Sequence, residues 1–323
     1  MRFRDGFALS EALEACGPFL KSPYSGTLAL SSRFESIDDP ERCGSHSLIL
    51  MDSHVRLETR NELQAMLVLA EKGINGLSES ILVVQVTNAR LALAALIEVL
   101  ASRIEYEAPF TSGGNNVIGP NAVVEGTLEG DIVVGAGAYV GPGTFIGRGT
   151  RIEPRAVIQE HCIIGRDCVV QSGAVIGCAG FGFVEVDGKL KAMPHLAGVR
   201  IGNHCFVGAN TVIAAGVLHP TEIGDGCKLD SHVQIAHNVR LGRNCLFASQ
   251  SGIAGSTQVG DGLRMGGAAS ISGHLRIGNN VSVAAKSGVT KDLADGAVVA
   301  GFPAMPIDEW RKQQILLRNR ETV

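Results

Sequence analysis

Aromatic and charged residues are scarce in this sequence. Aromatic residues make up 5% of the 323 positions and charged residues 19%, and the latter share is below the roughly 25% of an average globular protein. A core with so few rings must consist mainly of Val, Ile, Leu and Ala, and the 41 glycines indicate many turns. The composition therefore favours a repetitive β architecture.

Other shortages argue against several functional classes. The net charge of -4 provides no general positive field that would attract nucleic acid. The first residues lack the apolar run of a signal peptide, and no segment has the ~18 uninterrupted apolar residues of a transmembrane helix. The eight cysteines include no C-x-x-C pair, so they do not indicate a disulfide framework or a zinc site. We therefore predict a soluble, cytoplasmic protein.

Aliphatic residues recur at every sixth position over 134–176, 201–213 and 223–289. This period is the hexapeptide signature of a left-handed parallel β-helix, in which three hexads form a triangular coil of about eighteen residues. The aliphatic side chain points into the prism, and successive coils stack about 4.8 Å apart. Small residues four positions later fill the narrow interior, and five of them are cysteines: Cys162, Cys168, Cys205, Cys227 and Cys245.

The period is interrupted twice. Between Ile176 and Ile201 the chain makes an excursion, and the sequence from Val186 to Lys189 predicts a hairpin turn within it. Between Ile213 and Ile223 the spacing is ten, so four extra residues leave the wall. Insertions in a solenoid project as loops, commonly on a functional face.

The extent of the six-residue period divides the chain into three parts. Residues 1–105 have no six-residue period; SLILMDS and SILVVQV predict strands, and Asn88 predicts the cap of a helix over 89–102. We therefore predict a small N-terminal α/β domain over 1–105. Residues 106–300 form the β-helix, so the fold class is mainly β, and 301–323 form a short, basic C-terminal helical extension.

The segment LDSHVQIAHNVRLG carries Asp230, His232 and His237 within eight residues. One coil after His237 comes Gly255, whose N–H would project from the same edge as the imidazole, and His274 follows about two coils after His237. A histidine beside a glycine amide suits acyl transfer, as general base and oxyanion donor. Asp230 is compatible with orienting His237 or with capping a turn.

Two of these positions also have simpler readings. Position 255 could be glycine only because the backbone at that corner requires a positive φ. A histidine at a solenoid corner is most often a solvated polar residue, which is the interpretation for His161, His204 and His219. His232 is interpreted as a bystander near the site.

Six segments together resemble the UDP-3-O-acylglucosamine N-acyltransferases of lipid A biosynthesis. They are GFGF at 180–183, KAMPHLAGVRIG at 191–202, VGANT at 207–211, DSHVQIAHNV at 230–239, QSGIAGST at 250–257 and GGAASISGH at 266–274. The resemblance covers most of the chain and is specific over about 175–300. It implies transfer of a 3-hydroxyacyl chain from acyl carrier protein to the 2-amino group of UDP-3-O-acylglucosamine, by a homotrimer with sites between subunits.

The resemblance also implies roles for individual residues. His237 would be the general base, Asp230 its orienting acid, Gly255 the oxyanion amide and His274 a second histidine near the thioester. The matching motifs place further residues at the substrate: Gln234, Asn238, Phe181, Phe183 and His195. No cofactor is implied beyond the 4′-phosphopantetheine of the donor protein, and no metal. Basic side chains of the C-terminal extension offer a docking surface for the acidic carrier protein: Arg311, Lys312, Arg318 and Arg320.

The chain departs from the family at two places. The family has Asp-Arg-Gly where this chain has Ala214, Ala215 and Gly216, and the uracil-gripping aromatic loop corresponds to SLILMDSHVRLE, which has no aromatic residue. Alternatives are therefore a paralogue that acylates another amino sugar or nucleotide sugar from acyl carrier protein or coenzyme A, and a non-catalytic trimeric scaffold. A further alternative is a carbonic-anhydrase-like zinc enzyme in which histidines from adjacent subunits share a metal. Against it, His232 and His237 are five residues apart, on different sides of a corner.

Overall fold

The computed structural model describes residues 1–21, 28–40, 42–51, 67–71, 81–106, 112–186 and 188–301, and single positions at 307, 309, 312, 313 and 315. Within these ranges a six-stranded sheet precedes a three-sided parallel β-helix. No helix in the described ranges is both long enough and apolar enough to cross a bilayer.

The N-terminal sheet has the strand order β5-β4-β3-β2-β1-β6. Its strands are β1 Arg2–Ala8, β2 Arg33–Asp38, β3 Ser47–Met51, β4 Leu67–Ala70, β5 Leu82–Gln85 and β6 Ile104–Glu105. The helices are α1 Leu9–Cys16 and α2 Ala89–Leu100, with 3-10 turns at Gly17–Phe19 and Ala101–Arg103. The predicted cap is confirmed, because Asn88 Oδ1 accepts a hydrogen bond from the Leu91 N–H at 3.0 Å. The strands predicted in SLILMDS and SILVVQV are confirmed as β3 and β5.

The β-helix consists of three parallel faces of ten, nine and eight strands. Face 1 contains β7 Val117–Ile118, β10 Val133–Val134, β13 Arg151–Ile152, β16 Val169–Val170, β21 Phe206–Val207, β24 Lys228–Leu229, β27 Leu246–Phe247, β30 Arg264–Met265, β33 Ser282–Val283 and β35 Val298–Val299. Face 2 contains β8 Val123–Val124, β11 Tyr139–Val140, β14 Val157–Ile158, β17 Val175–Cys178, β22 Val212–Ala214, β25 Gln234–Ile235, β28 Gly252–Ile253, β31 Ser270–Ile271 and β34 Gly288–Val289. Face 3 contains β9 Thr127–Leu128, β12 Phe145–Ile146, β15 Ile163–Ile164, β20 Val199–Ile201, β23 Thr221–Ile223, β26 Arg240–Leu241, β29 Gln258–Val259 and β32 Arg276–Ile277.

The coil repeat follows the hexads. Val133 pairs with Arg151 and Val134 with Ile152, which is a shift of eighteen residues per coil. The second residue of almost every two-residue strand is the inward aliphatic anchor, and the five interior cysteines are buried and free. The predicted fold class, mainly β with a left-handed parallel β-helix, is confirmed. Where residues 105 and 300 divide the chain into domains stays a prediction.

Both interruptions lie at one edge, which we call corner 2/3: the segments that connect face 2 to face 3. The first leaves after β17 and returns at β20, and it folds as the antiparallel hairpin β18 Phe183–Val186 and β19 Lys189–Ala192. The second leaves after β22 and returns at β23. The predicted excursion with its hairpin is therefore confirmed, and the two loops meet at the same edge of the prism.

The N-terminal unit is seated on these two loops. Leu218 is buried in the apolar core of the N-terminal sheet, with Leu196 and Val217 packed against it. The Tyr106 hydroxyl donates a hydrogen bond to the Leu196 carbonyl at 3.1 Å. The Tyr106 ring also stacks on His161, with ring centroids 3.4 Å apart. The interruptions of the hexad pattern thus create the platform that positions the N-terminal unit beside corner 2/3.

Candidate active site

His237 and Asn238 form corner 2/3 between β25 and β26. The Asn238 amide oxygen lies 3.2 Å from His237 Nδ1 and also accepts a hydrogen bond from the Val217 N–H at 3.3 Å. Because a backbone N–H can only donate, the Asn238 atom is the oxygen, and His237 Nδ1 must then carry the proton. The lone pair of His237 is therefore on Nε2, as a general base requires.

Gly255 lies one coil further along this corner, against the imidazole of His237. A methyl group built on its Cα would lie 2.6 Å from His237 Cε1 and 2.7 Å from Nε2. The φ angle of Gly255 is not in the left-handed region, which its neighbour Ser256 occupies at 60°. Glycine at this position is therefore explained by the close imidazole and not by positive φ. Among the described residues, no backbone carbonyl accepts from the Gly255 N–H.

His195 brings a second imidazole to the same place. Its ring centroid is 5.0 Å from that of His237 at an interplanar angle of 66°, and its Nδ1 donates to the Met193 carbonyl at 2.8 Å. A methyl group on Gly180 would lie 2.6 Å from both His195 Nε2 and His237 Cβ. Burial, reinforced by the charge of a protonated His237, lowers the pKa of His195 to about 4. His195 is therefore neutral at pH 7. Its ring packs against the His237 ring and helps to hold it in position.

A cleft of about 580 Å³ opens in front of these residues, between the N-terminal unit and corner 2/3. His237, Asn238 and His274 contribute to its floor. His274 stands two coils above Asn238 and has a φ of 60°, and its N–H donates to the Gly255 carbonyl at 3.0 Å. Phe181 and Phe183, with ring centroids 5.3 Å apart, line the cleft from the excursion.

Within one chain the Asp230 carboxylate is hydrogen-bonded away from His237, and its role as the orienting acid stays a prediction. Its carboxylate accepts hydrogen bonds from the N–H groups of Ser231 at 2.7 Å and Ser249 at 3.1 Å. Asp230 lies at the corner between faces 1 and 2, a full hexad away from the corner of His237. Its role as a turn cap, the alternative left open by the sequence, is the one the hydrogen bonds support. His232 lies at this other corner too, so the two histidines cannot share a metal within one chain.

The other predicted site and corner residues have different outcomes in the structure. Gln234 points outward from face 2 and is not among the described residues that line the cleft. His204 is exposed as expected, but His161 stacks on Tyr106, and His219 is mostly buried 3.5 Å from Asp38. Of the predicted docking residues only Lys312 is described, and it is exposed. The other three lie outside the described residues: Arg311, Arg318 and Arg320.

Sequence reasoning missed a row of polar side chains beside His237. Arg240, Gln258 and Arg276 follow one another at eighteen-residue intervals on face 3 and line the cleft. The coil repeat that links His237 to Gly255 would have found this row. The hydrogen bond that the Val217 N–H donates to the Asn238 amide oxygen could not be predicted from the sequence, because the residues of an insertion do not follow the hexad spacing.

Two hexapeptide-repeat family models match parts of the β-helix. Residues 143–178 and 220–255 match the family described as bacterial transferase hexapeptide (six repeats), and residues 198–233 match the hexapeptide repeat of succinyl-transferase. A solved UDP-N-acetylglucosamine acyltransferase from Campylobacter jejuni is 25% identical, with a TM-score of 0.48, over 58% of this chain and 70% of that chain.

Curated relatives are closer in sequence. A protein of Legionella pneumophila named UDP-3-O-acylglucosamine N-acyltransferase 2 is 57% identical over 143 residues, which are 44% of this chain and 41% of the relative. A protein of Arabidopsis thaliana named probable UDP-3-O-acylglucosamine N-acyltransferase 2, mitochondrial, is 43% identical over 143 residues, 44% of this chain and 47% of the relative. The match thus spans less than half the length of these relatives. Parts of the β-helix thus match hexapeptide-repeat models, and over the aligned part the chain is similar to proteins named UDP-3-O-acylglucosamine N-acyltransferase.

Proposed function

We propose that this protein transfers a 3-hydroxyacyl chain from the thioester of an acyl carrier protein to the 2-amino group of UDP-3-O-acylglucosamine, a step of lipid A biosynthesis. The observation that carries the proposal is the His237 imidazole, whose Nδ1 proton is bound to Asn238 and whose Nε2 bears the lone pair. Relatives that carry this name at 57% and 43% identity support the substrate class.

The reaction needs a base, an oxyanion donor and a proton donor for the leaving thiolate. The amine nitrogen attacks the thioester carbon while His237 Nε2 takes its proton, which forms the C–N bond and a tetrahedral oxyanion. The Gly255 N–H beside His237 is the candidate donor to that oxyanion. The C–S bond then breaks, and the His237 imidazolium returns the proton to the thiolate. No metal or resident cofactor enters these steps, because the phosphopantetheine arm arrives with the donor.

The shape of the cleft suits an amphiphilic acceptor. Phe181, Phe183 and Met193 offer an apolar wall for an acyl chain, and His237 and His274 lie on the polar floor. We extend the proposal to a cytoplasmic homotrimer with sites between subunits. The carrier protein would dock at the basic C-terminal extension that includes Lys312.

Mass spectrometry of the products tests this function. The purified protein is incubated with a panel of 3-hydroxyacyl thioesters of acyl carrier protein and of coenzyme A, and with several amino-sugar nucleotides. We expect an amide product with UDP-3-O-acylglucosamine and carrier-protein donors. A product only with another amino sugar or only with coenzyme A would replace the proposed substrate, and no product with any pair would support a scaffold.

Replacement of the base provides the second test. We expect His237→Ala to lower kcat by about 10²–10⁴-fold, because general base catalysis contributes about that factor. His232→Ala is a matched control from the neighbouring corner and should keep most of the activity. Near-normal turnover in His237→Ala would contradict the assignment of the base.

A further inference from the structure

His195 contacts the His237 ring from the excursion that leaves the β-helix after β17. Its Nδ1 lies 2.8 Å from the Met193 carbonyl oxygen, which can only accept a hydrogen bond, so Nδ1 carries a proton. Burial lowers the pKa of His195 to about 4, and the ring is therefore neutral at pH 7. Because a neutral imidazole has a single N–H, the other ring nitrogen, Nε2, bears a lone pair.

This lone pair has no hydrogen-bond donor within the described part of the chain. His195 is 9% exposed, and its Nε2 atom is buried without a hydrogen-bond partner among the described residues. A buried acceptor that lacks a donor destabilises the folded state. Such groups are rare in native proteins, so the position of this lone pair requires an explanation.

The edge of the His195 ring that carries Nε2 lies beside the proposed base. A methyl group built on Gly180 would lie 2.6 Å from His195 Nε2, 2.8 Å from its Cδ2 and 2.6 Å from His237 Cβ. The Nε2–Cδ2 edge of His195 and the His237 side chain therefore border the same small space over Gly180. The dipole of a neutral imidazole runs from its bare nitrogen to its N–H, so the negative end of the His195 ring lies at this shared edge.

We propose that His195 is a positioning residue whose neutral ring stabilises the positive charge that His237 acquires when it takes the proton of the amine. This inference rests on the proposed function, because the transfer reaction gives His237 that role. A general base is neutral before the reaction, so the lone pair of His195 meets the charge only as the imidazolium forms. An interaction that is stronger in the transition state than in the ground state raises kcat. His195 itself gains and loses no proton.

Other titratable and charged groups surround the two rings. The cleft that contains His237 is also lined by side chains from the N-terminal unit, the loop after β22 and the later coils: Asp39, Arg90, His219, Arg240, His274 and Arg276. His195 also lines a smaller cavity of about 150 Å³, together with Tyr106, Glu160 and His161. Substitutions at position 195 leave all of these groups in the chain, so a difference between two such variants reports the ring of His195.

Two substitutions separate charge stabilisation from packing. His195→Phe keeps the shape of a ring and removes its dipole, whereas His195→Gln keeps a neutral polar group and loses the ring. If His195 stabilises the imidazolium, His195→Phe should lower kcat by about tenfold and His195→Gln by less. Packing alone predicts the reverse order, because phenylalanine fills the space of the ring better. Equal losses or the reverse order would overturn the proposal.

The titration midpoint of the His237 ring is a readout that a packing role would not move. It is followed by NMR in the full chain with isotope-labelled histidine. We expect the midpoint to be at least about 0.5 pH unit lower in His195→Phe than in the wild type, because the imidazolium loses a favourable dipole. His161→Phe is the matched control at corner 2/3, where the ring stacks on Tyr106, and it should leave the midpoint unchanged. An unchanged midpoint in His195→Phe, or an equal shift in His161→Phe, would refute the proposal.

Titration and turnover separate the two proposals, since the titration needs no substrate. If the midpoint falls in His195→Phe but no substrate pair yields an amide, the electrostatic pairing of the two rings stands and the transferase does not. If the amide forms and the midpoint is unchanged in His195→Phe, the transferase stands and the role of His195 is refuted.

Discussion

At the scale of single residues, the backbone conformation explains four of the nine histidines. His161, His204, His232 and His274 have φ between 56° and 60°, at corner positions that Asn occupies elsewhere, for example Asn238 at 60°. Histidine and asparagine tolerate this left-handed region better than most residues, so their presence there needs no chemical role. His237 has no such backbone reason. Its position instead fits the packing of His195, Gly180 and Gly255 around its ring.

Gly255→Ala should abolish most of the activity and leave the fold intact. The added methyl group would lie 2.6 Å from the His237 ring, which would have to move away from its Asn238 partner. We expect kcat to fall by about 10²-fold or more, since a displaced base loses its catalytic factor. Steady-state kinetics and thermal unfolding measure the two effects.

Gly267→Ala is the matched control for this variant. Gly267 holds the same place in its hexad at another corner, and the nearest atom to an added methyl group there is the Ser249 carbonyl oxygen at 3.6 Å. It should keep wild-type kinetics. If Gly255→Ala had the same turnover as Gly267→Ala, the His237 imidazole would tolerate the added methyl group, which would contradict this prediction.

At the scale of elements, the two insertions at corner 2/3 both contact the proposed base, His237, or its partner Asn238. The excursion after β17 presents His195 to the His237 ring, and the loop after β22 presents the Val217 N–H to Asn238. Neither contact comes from the regular coils. The regular coils of the β-helix thus form the corner, and the insertions orient the His237 and Asn238 side chains at that corner.

Burial of His195 predicts a dependence of stability on pH. The unfolded chain binds a proton at the ordinary pKa of 6.5, whereas burial lowers the pKa of His195 to about 4. The unfolded state therefore binds more protons in this window, and the free energy of unfolding falls as pH drops from about 6.5 to 4. Burial lowers the pKa of His219 to about 3, which acts in the same direction.

Urea unfolding at pH 7 and pH 4.5 checks this expectation. His195→Gln cannot titrate and should lose less stability between the two pH values than the wild type. His204→Gln is the control, because the His204 side chain is 69% exposed in the native chain. If His195→Gln lost as much unfolding free energy between pH 7 and pH 4.5 as the wild type, His195 would not remain neutral in the folded chain.

At the scale of the whole molecule, the cleft exists because two differently built units meet on the insertions. The N-terminal unit buries Leu218 in its own core, and Arg42 makes a two-pronged ion pair with Glu222 on β23 at 3.0 and 2.9 Å. The side chains of that pair are 31% exposed. Apolar burial should dominate the stability of this junction, because a partly exposed ion pair contributes little.

Leu218→Ala should therefore destabilise the protein far more than Arg42→Gln. We expect a loss of about 2–5 kcal/mol for the leucine, which leaves a cavity in the N-terminal core, and about 0–1 kcal/mol for the arginine. Urea titration followed by circular dichroism measures both. Similar losses in the two variants would mean that the ion pair holds the units together.

The sequence by itself determined the β-helix and much of the corner. The six-residue period fixes which side chains point inward, and the eighteen-residue coil places Gly255 beside His237 and Arg240 in line with Arg276. These relations are readable because each coil repeats the same local geometry, so a position in the sequence is also a position along the axis.

Only the tertiary structure decided how His237, the proposed base, is oriented and what encloses it. Asp230 was the nearest acid in the sequence, yet it caps another corner, and Asn238 holds His237 Nδ1. The contacts of His195 and Leu218 depend on how the aperiodic loops fold back and on how the N-terminal unit packs on them. Such contacts join segments without a shared period, so packing and not spacing decides them.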